Sequence, residues 1–88
     1  MPELSRFEGM IIRMLFSDTG QHSKPHIHVE CAEYQASVAI DGEILAGSLP
    51  KKKILLLQAW MILHEDELYQ AWNNAVQNKV FDRIAPLR

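Results

Sequence analysis

The spacing of apolar residues changes once along this 88-residue chain, and that change limits the folds open to it. Up to Gly47 the apolar residues form short runs separated by polar residues and turn formers, which is typical of strands. From Ile54 onward they recur three or four positions apart, which is the spacing of a helix. The sequence therefore predicts an α+β fold in which a sheet precedes the helical part.

Four strands are predicted in the first half of the chain, over about residues 10–16, 26–32, 35–40 and 43–47. Asp41-Gly42 is a hairpin dipeptide, because both central residues of a type I′ turn need positive φ. Short connections join antiparallel strands, whereas parallel neighbours need a long crossover. We therefore expect an antiparallel meander within a single domain of residues 1–88, with residues 1–9 as an entry segment.

Two helices are predicted after the strands, over about residues 50–64 and 66–77, packed on one face of the sheet. Ser48 is the candidate N-cap, with Pro50 in the first turn. The acids that follow His64 favour a break there, since acids stabilise the first turn of a helix and destabilise its last. One continuous helix is the alternative. Residues 81–87 are expected to pack back on the body.

The first predicted helix is apolar on nearly all sides. Between residues 54 and 63 only Gln58 is polar, and a helix that is apolar all round must be buried all round. Because the domain is small, we expect part of this helix to meet a second copy of the chain or another protein partner. Trp60 and Trp72 are the candidate anchors of that interface. The alternative is that Trp60 fills the core.

Reactive side chains have an informative spacing in residues 25–30, Pro-His-Ile-His-Val-Glu. In a strand, alternate side chains lie on one face, so His26, His28 and Glu30 share a face while the residues between them enter the core. Two imidazoles suit a divalent transition metal or general acid–base catalysis near neutral pH. A half-exposed pair without chemistry is the third interpretation.

A metal held by these two histidines needs a third ligand from elsewhere. The candidates are Glu30 on the same face, His64, and Asp18 or His22 in the loop before Pro25. We expect the helices to leave the histidine face uncovered, open to solvent, a ligand or another subunit.

Lys51, Lys52 and Lys53 open the first predicted helix, where the helix dipole already places positive partial charge. Bound phosphate would offset both, so the run is a candidate contact for an anion or for RNA. The alternative is a solvated surface cluster.

The composition favours a cytoplasmic protein. Cys31 is the only cysteine, which excludes an internal disulfide and fits a reducing compartment. Alternation places its thiol on the core side, where it would be inert. The longest apolar run is too short to span a bilayer core of about 30 Å, and a net charge of −2 gives no general attraction to nucleic acid.

Eight segments together resemble a small bacterial family, and the most specific is the Pro-His-x-His element. They are Pro2-Glu3-Leu4-Ser5-Arg6-Phe7, Ile12-Arg13-Met14, Pro25-His26-Ile27-His28, Leu49-Pro50-Lys51, Trp60 with Leu63-His64, Glu67-Leu68, Trp72, and Ile84-Ala85-Pro86-Leu87. The family is domain of unknown function family 4160, and the resemblance covers nearly the whole chain. This sequence departs from it in a longer loop before Pro25 and in Lys24, where the family commonly has a second proline.

The resemblance implies that the protein acts together with another protein. Such proteins are typically encoded beside another small uncharacterised domain, in arrangements that look like toxin–antitoxin pairs. We therefore expect a member of such a pair, with protein contacts through the helices and His26 and His28 as the functional face. A metal-dependent or His-based hydrolase, such as a nuclease, and an interaction module without catalysis are the alternatives.

Overall fold

The computed structural model describes residues 3–14, 24–77 and 79–87. One antiparallel sheet, with its strands in chain order, is followed by two helices. The elements are β1 (Glu3–Phe7), β2 (Met10–Arg13), β3 (His26–Cys31), β4 (Tyr34–Ala39), β5 (Ile44–Ser48), α1 (Lys51–Leu63) and α2 (Glu65–Val76). The predicted α+β meander with two C-terminal helices is confirmed, whereas the predicted count of four strands is wrong, because there are five.

Strand β1 was not predicted from the sequence. The prediction that residues 1–9 form an entry segment is wrong, because Glu3–Phe7 is a strand of the sheet. Phe7 pairs with Met10 across a two-residue connection. Its residues, Glu8 and Gly9, have φ of 51° and 75°, the positive pair that a type I′ turn needs. Glu-Gly is not a usual hairpin dipeptide, so residue preference alone gave no signal for this turn.

The hairpin predicted at Asp41-Gly42 exists, but its turn is not type I′. Gly42 has φ of 103°, and Asp41 is not among the described residues with positive φ. The Ala39 N–H donates to the Glu43 carbonyl over 2.7 Å, and the Gly42 N–H donates to the Ala39 carbonyl over 2.8 Å. The loop is therefore wider than two residues, and turn type follows loop length.

The remaining boundaries differ from the predictions by small amounts. The connection from β3 to β4 is Ala32-Glu33, with Ala32 at φ of 53°. Ser48, the predicted helix cap, is the last residue of β5, and Pro50 takes the N-cap position of α1. Strand β2 ends at Arg13, and residues 15 and 16 of the predicted strand lie outside the described residues.

The predicted break at His64 is confirmed, and the continuous helix is excluded. His64 has φ of −121° and ψ of 26°, which interrupts the helical backbone between α1 and α2. Glu65, Asp66 and Glu67 occupy the first turn of α2, where negative charge is favoured by the helix dipole.

Sheet and helices share one core. Alternate strand residues on one sheet face pack with the inner sides of both helices, and the set includes Met10, Ile12, Ile27, Val29, Val38, Leu57, Trp60, Leu68 and Trp72. Trp60 and Trp72 are only 0% and 9% exposed, and the Trp60 Nε1–H donates to the Ala85 carbonyl over 2.8 Å. Both indoles therefore lie in the core and not at the predicted interface, because each large ring is covered by residues of its own chain.

The C-terminal segment packs along β1. The Ile84 N–H donates to the Leu4 carbonyl over 2.8 Å, and Arg83 Nη2 lies 2.6 Å from Glu3 Oε2. Ile84 is buried, and Phe81 and Leu87 pack against the same core, as predicted. In the described ranges no helix is long and apolar enough to cross a membrane.

Gly47 in β5 provides a test of this sheet. A Cβ on Gly47 would lie 2.1 Å from the Gln35 carbonyl oxygen, at φ of 75°, whereas Gly9 has the same φ with nothing within 4 Å of its Cβ position. We expect Gly47→Ala to lower the free energy of unfolding by about 3 kcal/mol or more, and Gly9→Ala by about 1 kcal/mol. Urea unfolding measures both, and equal losses would contradict the close approach of β4 to β5.

Candidate functional site

Strand β3 lies in the middle of the sheet and carries the predicted histidine pair. Its register places Arg13 of β2 and Ser37 of β4 directly opposite His28. Directly opposed residues share a face, with their Cβ atoms about 5 Å apart. With Glu30, two positions along β3, these residues form the β3 polar cluster (Arg13, His28, Glu30 and Ser37), on the sheet face opposite Ile27 and Val29.

His26 is separated from this cluster by its burial. Its side chain is 1% exposed, and its Nδ1–H donates to the Lys24 carbonyl over 2.8 Å. Its ring centroid lies 5.1 Å from that of Trp72. The expectation that the helices leave the histidine face uncovered is therefore wrong at His26, because α2 reaches this end of β3. His28 is half-buried and keeps part of its ring accessible.

Of the candidate third metal ligands, only His64 and Glu30 belong to the part of the chain that the structure describes, and neither completes a metal site with the histidines. Among the described residues, no group of three His, Cys, Asp or Glu side chains is placed to hold a metal ion. His64 lies at the junction of α1 and α2, with Nδ1 2.7 Å from Glu67 Oε1. Glu30 lies beside Arg13, and Asp18 and His22 fall outside the described residues. A metal site at His26 and His28 therefore stays a prediction.

Arg13 is the functional candidate that sequence reasoning missed. Its Nε is buried with no hydrogen-bond partner among the described residues, and Glu30 Oε1 lies 3.8 Å away. A guanidinium stays charged and binds carboxylates and phosphates through paired donors. In the sequence, the only indication of a role for Arg13 was that it is the one charged residue within the apolar run of residues 10–16. Only the register places that charge beside His28, so the cluster combines a cation, an imidazole, a carboxylate and a hydroxyl.

The three lysines at the start of α1 differ in their contacts. Lys53 Nζ donates to the Glu8 carbonyl over 2.7 Å and so ties α1 to the β1–β2 turn. Lys51 and Lys52 are exposed, and none of the described side chains caps this helix. Cys31 is buried at 8% exposure, which fits an inert thiol.

Lys24 ties the start of β3 to the β4–β5 hairpin. Its Nζ lies 2.7 Å from Asp41 Oδ2 and also contacts Glu43 Oε1. The hydrogen bond from Lys24, followed by the Glu43 backbone N–H, holds the pKa of Asp41 below its ordinary value of 3.8. Asp41 and Glu43 in turn raise the pKa of Lys24. Because the Lys24 carbonyl accepts from His26, the same residue positions the buried imidazole.

The ion pair between Lys24 and Asp41 predicts a pH dependence. A depressed carboxyl pKa adds stability above the unfolded-state pKa, and that stability is lost as the pH falls through the folded pKa. In Lys24→Met we expect the pKa of Asp41 to rise toward 3.8 and this acid-dependent contribution to become smaller, because the Glu43 backbone N–H still donates to Asp41. A carbon-detected NMR titration measures it, with the exposed Lys79→Met as charge control. An unchanged Asp41 pKa would contradict the pairing.

The two histidines should differ in their effect on stability. His26→Ala removes a buried ring, its contact with Trp72 and a hydrogen bond, so we expect a loss of about 2–3 kcal/mol in the free energy of unfolding. His28→Ala alters a half-exposed position and should change it by less than about 1 kcal/mol. Urea unfolding compares them, and a larger loss for His28 would overturn the assignment of His26 as the structural histidine.

Comparison with known proteins indicates a family for this chain. A family model described as Domain of unknown function (DUF4160) matches residues 9–73, well over half of the chain. No curated protein and no solved structure matches it. The matched residues include β2 to β5, among them the histidine-bearing β3, and all of α1. By this match the chain belongs to the DUF4160 family.

Proposed function

We propose that this protein is one member of a toxin–antitoxin-like pair that works in the cytoplasm through protein–protein contacts. The outward side of α1 is the observation that supports this most. Leu55, Ile62 and Leu63 are 57%, 77% and 69% exposed, although the opposite side of the same helix is buried in the core. A helix with apolar residues on its solvent side is typical of a chain that binds another protein.

These side chains are grouped rather than scattered. Leu55, Ala59 and Ile62 are spaced by four and three residues, so they lie on one side of the helix, and Leu63 flanks them. We call these four residues the α1 apolar row. Fully burying a Leu or Ile side chain contributes about 1.5–3 kcal/mol. Three of them could therefore offset much of the entropy lost when two proteins associate.

The β3 polar cluster is the second part of the proposal. It lies on the sheet face opposite the helices, so a protein bound at the α1 apolar row leaves it accessible. His28 supplies the imidazole of the cluster, and Arg13 can hold an anionic group beside it. His26 then acts as a positioning residue at the start of the strand.

The second candidate function is a His-based hydrolase, with RNA as the candidate substrate. It is favoured by the cross-strand position of Arg13 directly opposite His28. A phosphate bound at Arg13 would lie next to an imidazole able to serve as general acid or base. The third candidate is an interaction module without catalysis, in which the β3 polar cluster takes part in no reaction. A metal-dependent version needs ligands beyond those that the described residues bring together.

The contact surface is tested by co-purification with the partner that we propose, a small protein encoded beside this one. We expect Ile62→Glu to disrupt protein contacts, because it places a charge in the α1 apolar row. Val80→Glu is the matched control, since Val80 is 90% exposed and lies outside the row. If Ile62→Glu retains every contact, both with this neighbour and between copies of the chain, the row is not a protein-binding surface.

The polar cluster is tested by growth of cells that express the pair. His28→Gln and Arg13→Gln should change toxicity or its neutralisation while leaving protein contacts intact. If cells expressing these variants grow as with the unaltered chain, the cluster has no functional role and the interaction module is favoured.

A further inference from the structure

We propose that the α1 apolar row joins two copies of this chain, with the two α1 helices packed antiparallel about a two-fold axis beside Ala59. This inference rests on the proposed function, in which the row is a protein contact surface, and it names the occupant. Two features of α1 support this arrangement. They are the order of charges along the helix and the positions of the apolar residues between those charges.

The two ends of the row have opposite charge. Lys51 and Lys52 are exposed at the beginning of α1, and Glu65 and Asp66 are exposed directly after its end. In an antiparallel pair the lysines of one copy lie beside the acids of its partner, whereas in a parallel pair lysines would face lysines. Opposite charges at an interface fix orientation and register, so this surface is complementary to itself only in the antiparallel arrangement.

The spacing gives the register. Leu55 and Ile62 are equally far from the midpoint between Gln58 and Ala59, and so are the outer pairs, Lys51 with Asp66 and Lys52 with Glu65. A two-fold axis at that midpoint therefore places leucine beside isoleucine and lysine beside acid. Such self-complementarity is what an isologous interface requires, because each pairing occurs twice.

The tertiary structure keeps the acids next to the row in spite of the break at His64. Glu65 and Ile62 line one groove beside the β4–β5 hairpin, together with Gln58. Ile62, Leu63, Glu65 and Asp66 line an adjoining surface concavity. The end of the row at Ile62 and Leu63 and both acids are thus parts of one continuous surface.

The centre of the row suits a close approach. Ala59 is exposed and has the smallest side chain of the four, which permits the short axis separation of about 8 Å seen between tightly packed helices. Helix α1 has 13 residues and is therefore about 20 Å long, enough for the charged ends to reach each other. Neither β3 polar cluster takes part in this contact, since each lies on the sheet face opposite the helices.

Sedimentation equilibrium of the full chain at low salt tests the dimer. We expect a dimer whose Kd rises at least about 100-fold in Ile62→Glu and is unchanged in Val80→Glu. Ile62 is 77% exposed, so the variant should fold, and circular dichroism checks that it does.

Charge reversal tests the orientation. Lys51→Glu with Lys52→Glu should raise the Kd roughly tenfold, and Glu65→Lys with Asp66→Lys should do the same, because each opposes like charges across the interface. The chain carrying all four substitutions should regain dimerisation. An unchanged Kd after either reversal alone would overturn the inference, because in a parallel pair each end faces its own copy and like charges oppose each other before and after the reversal.

Cysteine substitution tests the register, since Cys31 is buried. Ala59→Cys lies next to the axis and should form a disulfide-linked dimer on oxidation. Leu55→Cys alone should not, because its two copies would be offset by about 10 Å along the helix, beyond the reach of about 7 Å for a disulfide. A mixture of Leu55→Cys and Ile62→Cys chains should cross-link.

The outcomes separate this inference from the proposed function. A chain that is monomeric at every concentration, but whose binding to the neighbouring protein is lost in Ile62→Glu, overturns the dimer and leaves the protein-binding role standing. A monomer whose contacts survive Ile62→Glu overturns both. A dimer that is insensitive to Ile62→Glu places the subunit contact elsewhere and also overturns the inference.

Discussion

Pairing of β3 on both of its edges is the constraint on which the candidate site depends. Ile27 and Val29 are completely buried against the helices, so a register slip of one residue would exchange them for His28 and Glu30 and place charge in the core. Burial on one face therefore fixes what the other face presents. The β3 polar cluster follows from it, because the same register places Arg13 and Ser37 beside His28.

Helix α1 has two apolar sides with different tasks. Leu57, Trp60 and Met61 enter the core, while Leu55 and Ile62 lie on the solvent side. A small domain has only one face of a sheet and one neighbouring helix with which to cover such an element. The uncovered side is explained if it is an interface, and the β3 polar cluster is then presented on the far side of the sheet from that interface.

Much of the fold could be predicted from local pattern. Strand alternation, the change to helical spacing and the acids after His64 gave the meander, the two helices and the break between them, since each signal depends on near neighbours. Strand β1 was missed because Glu8-Gly9 is an unusual pair for a type I′ turn. The Ile84 contact with Leu4, which places the C-terminal segment along β1, joins residues far apart in the chain.

By itself the sequence determined that His28 and Glu30 share a face of a strand, that α1 is apolar on nearly all sides after its first turn, and that the chain carries a Pro-His-x-His element. Only the tertiary structure decided that His26 is buried against Trp72, that Arg13 lies beside His28, and that both indoles belong to the core. The physical reason is that periodicity fixes the direction of a side chain from its own element. Its neighbours come from strand register and helix docking, which depend on how the elements pack together.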